Sequence, residues 1–196
     1  MTSADYFEVF GLPRKLEVNL DELQQRFYEL SRKYHPDVSM RATPAEQAEN
    51  LERSALINRA YRALRDPITR VEYLIGLEEG GSPGIQPKAP ANLLEEILEI
   101  QETLTDAKAD GVDETARQKL REERQRLAQR REEEEQALFA LAREWDTAED
   151  SNGEKKRLLD RFKPHLAARA YFTTVINDLD EALGEETRTN VSHRRH

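Results

Sequence analysis

The sequence predicts an all-α protein in two modules: an antiparallel helical hairpin with short flanking helices, then a three-helix bundle. Three observations carry that prediction. Charged residues make up 35% of the 196-residue chain against only eight Gly and eight Pro, a balance that favours helices over strands. Apolar residues recur at spacings of three and four, the period of one helix face. One stretch, "EEGGSPGIQPKAP" (Glu78–Pro90), holds three Gly and three Pro in thirteen residues, a density that helices rarely survive. The expected divisions are a first module over residues 1–76, a linker over 77–90, a bundle over 91–185 and a disordered tail over 186–196.

In the first module, "DYFEVFGLP" supplies aromatic cover through Tyr6, Phe7 and Phe10. Asn19 reads as an N-cap with Glu22 at N3, and Val18 and Leu23 can form a hydrophobic staple. The helix that follows places Leu23, Phe27, Leu30 and Tyr34 on one apolar face. Thr43-Pro44-Ala45-Glu46 is a second capping box with Pro at N1, opening a helix that should bury Ile57, Ala60, Tyr61 and Leu64. Asp66-Pro67 starts a short helix through Val71, Leu74 and Ile75. Two helices joined by a loop of about ten residues should pack antiparallel, with the loop exposed at one end.

The second module reads as three helices in an up-down-up bundle. Asn92 caps the first and Gly111 ends it. Asp113 caps a long charged helix running to about Glu149. Its apolar positions Leu120, Leu127, Leu138, Leu141 and Trp145 are interrupted by Arg131 and Glu134, which argues against a long two-stranded coiled coil. Ser151 with Glu154 opens the last helix, which Pro164 is expected to kink or split.

Composition narrows the chemistry. With no Cys, disulfides and thiolate metal sites are excluded, and a reducing compartment fits. No apolar run approaches the roughly 18 residues of a membrane span. The N-terminus carries acids where a leader would carry bases, so a soluble cytoplasmic protein is expected. Of the net charge of −9, residues 1–76 contribute −1 and residues 77–196 contribute −8, which disfavours a nucleic-acid partner for the second module. No metal site and no cofactor are expected.

"SRKYHPDVS" (Ser31–Ser39) raises the functional question. Pro36 removes a backbone donor and pushes His35 out of the helical region, so the helix must end near Tyr34. His35 and Asp37 are then loop residues. As a catalytic pair they are poorly equipped: no nucleophilic Ser or Cys is organised nearby, and a surface loop tip excludes no water. A plain helix stop followed by a capping Asp is the ordinary meaning of such a tripeptide.

The setting changes that reading. His35-Pro36-Asp37 lies between two antiparallel helices, preceded by "RKY" and followed by "INRAYRALRDP". This resembles the J-domain, the co-chaperone module that stimulates ATP hydrolysis by HscA/DnaK-type chaperones. The resemblance implies a docking role for His35, Pro36 and Asp37, with Arg26, Arg32 and Lys33 as basic candidates on the preceding helix and Glu29 as an acidic interruption. "DYFEVFGLP", "INRAYRALRDPITRVEYLIGL" and the acidic helical module together are similar to the HscB family of iron–sulfur cluster co-chaperones. That likeness implies that the bundle binds an IscU-type scaffold protein and that the reaction belongs to the partner chaperone, not to this chain.

On a helical wheel Leu93, Ile97, Ile100 and Leu104 share a core-facing stripe. Leu94 and Leu98 lie beside it, next to Glu95 and Glu102, and fit either the core or an exposed acid-rimmed ridge. The resemblance carries scaffold contact onto Leu94, Leu98, Glu99 and Glu102, onto Asp106 where the family tends to have Glu, and onto Tyr171 or Phe172. Glu95 departs from the family's hydrophobic residue. Two other functions compete: a generalist J-domain co-chaperone with a different client, and an enzyme using His35 and Asp37.

Overall fold

The computed structural model describes residues 4–35, 43–81, 85–90, 98–102, 105, 114–149 and 153–184. Among these, all regular structure is helical: α1 (Tyr6–Val9), α2 (Leu20–Lys33), α3 (Pro44–Arg65), α4 (Pro67–Glu79), helical residues at 98–102 and 105, α5 (Glu114–Thr147) and α6 (Glu154–Leu183). The chain divides into two compact units, Met1–Gly84 with Ala140–Leu159, and Ile85–Phe139 with Asp160–His196.

In the first unit α3 packs against α1, α2 and α4. The predicted caps are in place. The Asn19 side chain accepts from the amides of Asp21 and Glu22 at 3.1 and 3.2 Å. Thr43 and Glu46 form the reciprocal capping box, and Asp66 caps α4 through the amides of Ile68 and Thr69. Phe27 stacks on Tyr61 with ring centroids 4.1 Å apart, while Tyr34 meets Arg53, so rising numbers on α2 meet falling numbers on α3. The hairpin is antiparallel. Phe7, Leu23, Ala60, Leu64, Leu74 and Ile75 are fully enclosed. Tyr61, expected in the core, is half-buried because its ring lies over Phe27 at the edge.

Three polar features of this unit have no counterpart in the sequence reading. Buried Asp5 caps α1 through the Phe7 amide at 2.9 Å and is gripped by Arg14 Nε at 2.5 Å. The Tyr73 hydroxyl accepts from the Tyr6 amide at 2.8 Å, and burial pushes its pKa up to about 12. Asp146, on α5, accepts from the backbone amides of Leu16 and Glu17, each at 2.7 Å. Residues 140–159 belong to the first unit, where that clasp ties α5 to the segment before α2, so the molecule does not divide at residues 77–90 alone. Nor is that stretch all linker: α4 runs to Glu79, and the Lys88 amide donates to the Ala167 carbonyl at 3.1 Å in the second unit.

In the second unit Ile100, Leu120 and Leu127 pack with Phe172, Val175 and Leu179 of α6, bringing three helical segments onto one apolar cluster. α5 and α6 run antiparallel, since Arg117 meets the Leu183 carbonyl, Arg124 meets Asp180, and Glu135 meets Arg169. Where Arg131 and Glu134 interrupt the apolar pattern, side chains tie helix to helix: Glu134 to His165 at 2.6 Å and Glu135 to Arg169 at 2.8 Å. Of the two outcomes expected at Pro164, a kink or a split, the split does not occur: α6 runs as one helix through it. An interior Pro costs about 3 kcal/mol, which burial of Phe162, Leu166 and the apolar residues beyond offsets. The proposed caps at Asn92, Gly111, Asp113 and Ser151, and the tail from Glu186, lie outside the described residues.

Candidate functional site

Two groups of candidate residues sit on different units. The first surrounds the end of α2. Asp21 and Glu22 open this helix and Arg32 and Lys33 close it, each charge complementing the nearer pole of the helix dipole. Tyr34 is its C-cap, with its amide donating to the Leu30 carbonyl at 3.0 Å. Arg53 of α3 lies over the Tyr34 ring at 5.3 Å and donates from Nη1 to the phenol oxygen at 3.0 Å. Glu49 holds Arg53 in turn, at 2.6 Å to Nη2. The Arg53 hydrogen bond, partly offset by desolvation, lowers the Tyr34 pKa from its ordinary value. The last turn of α2 is therefore fastened to α3, and His35, exposed, continues from a fixed point. Pro36 and Asp37 lie outside the described residues.

Arg32 and Lys33 are exposed, as a docking face requires, and the Lys33 ammonium rests 5.3 Å from the Tyr34 ring. Arg26 is placed differently. Its guanidinium donates to the carbonyls of Phe10 and Gly11 and pairs with Glu22 at 2.5 Å. It closes the turn after α1, where Gly11 has φ +61° and a Cβ would meet Arg26 Nη1 at 3.0 Å. A basic residue on the right helix was visible in the sequence; its attachment to a turn 15 residues earlier was not.

The second group lies on the second unit. Leu98 is 65% exposed, which decides between ridge and core for that residue. Glu99 and Glu102 are exposed on the same short helical segment, while Ile100 is 3% exposed and faces the apolar cluster. Tyr171 is half-buried against that cluster, its ring edge-on to Phe172 with centroids 6.2 Å apart. Burial, then the charge of Asp178, raises the Tyr171 pKa. Phe172 is enclosed and belongs to the core. Leu94, Glu95 and Asp106 lie outside the described residues. Among the described residues no group of three or more His, Asp or Glu could hold a metal ion, and no helix is long and apolar enough to cross a membrane.

Residues 5–73 match the DnaJ domain family. That segment is a DnaJ domain. It contains the capped α2, its hairpin partner α3 and the exposed His35 that follows α2. Over the whole chain the fold follows two solved structures. Chaperone HscB from Vibrio cholerae matches with a TM-score of 0.63 at 22% identity, covering 93% of this chain and 99% of that one. The human co-chaperone protein HscB matches with a TM-score of 0.63 at 24% identity, covering 92% and 83%. The likeness is one of fold, and it extends well past the J-domain into the helices that carry Leu98 and Tyr171.

Proposed function

We propose that this chain is a co-chaperone of iron–sulfur cluster biogenesis, working in the cytoplasm as a regulatory binding protein and not as an enzyme. The J-domain stimulates ATP hydrolysis by an HscA/DnaK-type chaperone. The bundle binds an IscU-type scaffold protein and delivers it. The observation that carries this reading is the union of a J-domain with a helical segment that presents an exposed leucine, Leu98, beside the exposed acids Glu99 and Glu102.

Mechanistically, Asp37 acts as acceptor for an arginine of the chaperone, a charge-assisted bond stronger than a neutral one. Arg32 and Lys33 orient the encounter more than they tighten it. Such contacts bias the chaperone only by favouring its hydrolysis-competent conformation over the other. On the scaffold side, Leu94 and Leu98 supply the apolar anchor, with Glu99, Glu102, Asp106 and Tyr171 around it. Burying one leucine offers roughly 1.5–3 kcal/mol, before association costs, so the complex is weak and reversible, as a handover requires.

The test is the ATPase rate of the chaperone with this protein, with and without scaffold. Synergy between the two is expected. Asp37→Asn should abolish stimulation while helicity is kept, and full stimulation by that variant would refute the J-domain assignment of function. Leu94→Ala/Leu98→Ala should weaken scaffold binding and leave scaffold-free stimulation unchanged. Unaltered scaffold affinity in that variant would remove the bundle from the proposal.

A further inference from the structure

The outward face of α3 carries a surface that neither docking role uses. At 100° per residue, Leu51, Ala55, Asn58, Arg62 and Arg65 fall within about 80° of arc, a stripe roughly 21 Å long. Arg59 flanks it. The buried residues Ile57, Ala60 and Leu64 lie on the opposite side, so the stripe faces solvent. Leu51 is 64% exposed, one of the few large apolar side chains that are among the described residues. Beyond it, Ala55, Asn58, Arg59, Tyr61 and Arg62 line an open groove of ≈ 510 Å³.

The charge on this stripe is unbalanced. Between Gln47 and Arg65 no Asp or Glu falls on it. Arg53, on the other side of α3, is paired with Glu49. Arg59 has no ion-pair partner among the described residues, Arg62 donates only to the Asn58 carbonyl of its own helix at 3.3 Å, and Arg65 lies over the Tyr61 ring at 5.9 Å. Glu52 flanks the stripe on the same side as Arg59, two turns before it, and Asp66, just past its end, has its Oδ1 committed to the amides of Ile68 and Thr69. Three arginines that pair with no carboxylate among the described residues, in a chain of net charge −9, make this face locally basic.

We propose that this face docks an acidic helical segment of a partner protein, whose carboxylates one turn apart meet Arg59, Arg62 and Arg65 while an apolar side chain covers Leu51. Charge complementarity selects an anionic partner. The exposed Leu51 selects a peptide over nucleic acid, because the one aromatic in the groove, Tyr61, has its ring stacked on Phe27 and covered by Arg65, leaving no open platform for a base.

The experiment uses the full chain and a dye-labelled helical peptide bearing one leucine followed, two turns on, by glutamates a turn apart, read by fluorescence anisotropy. The glutamate peptide should bind about tenfold or more tightly than its glutamine counterpart, and added salt should weaken it. Arg59→Gln/Arg62→Gln should lower affinity about five- to tenfold with unchanged circular dichroism, and Leu51→Ala about threefold. Arg32→Gln/Lys33→Gln on α2 should leave it unchanged. Equal binding of the two peptides, undiminished affinity in the α3 variant, or loss in the α2 variant overturns the proposal. So does tighter binding of a single-stranded RNA oligomer or of phosphatidylserine vesicles.

Discussion

Asp5, Asp66 and Asp146 of the first unit accept from backbone amides, whereas Asp180, Glu134 and Glu135 of the second are tied to side chains of the facing helix. Helix length explains the contrast. The first unit is built largely from helices of 4, 14, 22 and 13 residues, and each start leaves amides without an intrahelical partner. Carboxylates there act as plugs for the main chain. The second unit draws on helices of 34 and 30 residues, which offer long lateral faces and few ends. Its carboxylates stitch side to side, and do so where the apolar stripe of α5 lapses. The same residue type therefore does two jobs, chosen by how often the chain interrupts its helices.

Core truncation sets the scale for testing this difference. Phe172→Ala should cost about 3–5 kcal/mol in urea unfolding, since Phe172 is 1% exposed among the apolar residues of three helical segments. A loss below about 1 kcal/mol would mean that the polar ties, not the apolar cluster, hold the second unit.

The sharper test asks whether an apolar swap can replace each carboxylate. Asp180→Ala removes the buried carboxylate that Arg124 grips and should cost about 2–3 kcal/mol, at the low end for a broken buried pair because Arg124 is 38% exposed. Replacing both partners, Arg124→Met with Asp180→Leu, should recover stability to within about 1 kcal/mol of the parent. Asp146→Ala should cost about 2 kcal/mol, and Asp146→Leu should recover nothing, because the amides of Leu16 and Glu17 remain. Rescue at both places, or at neither, would break the distinction between plug and stitch.

Local signals were legible in the sequence and distant ones were not. The caps at Asn19, Thr43 and Asp66 are written within four residues of the helix they start, and the apolar face of α2 repeats along a single helix. The antiparallel hairpin follows from those alone. Asp146 and Leu16, by contrast, are separated by 130 residues, and nothing near either announces the other. The lapse at Arg131 and Glu134 was visible, but its partners His165 and Arg169 lie on another helix. Arg26 looked like its neighbours Arg32 and Lys33, and only the fold reveals the carbonyls it serves. Leu98 was open between ridge and core because a wheel gives angles without neighbours.

The smallest effect concerns pH. Tyr73 keeps its proton to about 12, while Tyr34 titrates below the ordinary value of 10. A folded pKa raised above the unfolded one means that the neutral phenol contributes stability fully below pH 10, and that this is lost as pH rises toward 12. Spectrophotometric titration should show Tyr34 ionising well before Tyr73, and Tyr73→Phe should flatten the alkaline loss of stability. Ionisation of Tyr73 together with Tyr34 would show that its burial has no such effect.

The clasp made by Asp146 also bears on how the chain matures at the ribosome. Residues 140–159 are translated well after Gly84, yet they complete the same unit. At about 5–20 residues per second, roughly 4–15 s pass between the emergence of Gly84 and that of Leu159. Throughout that interval the amides of Leu16 and Glu17 must bond to water, so the first part of the protein to be synthesised is not the first to be finished.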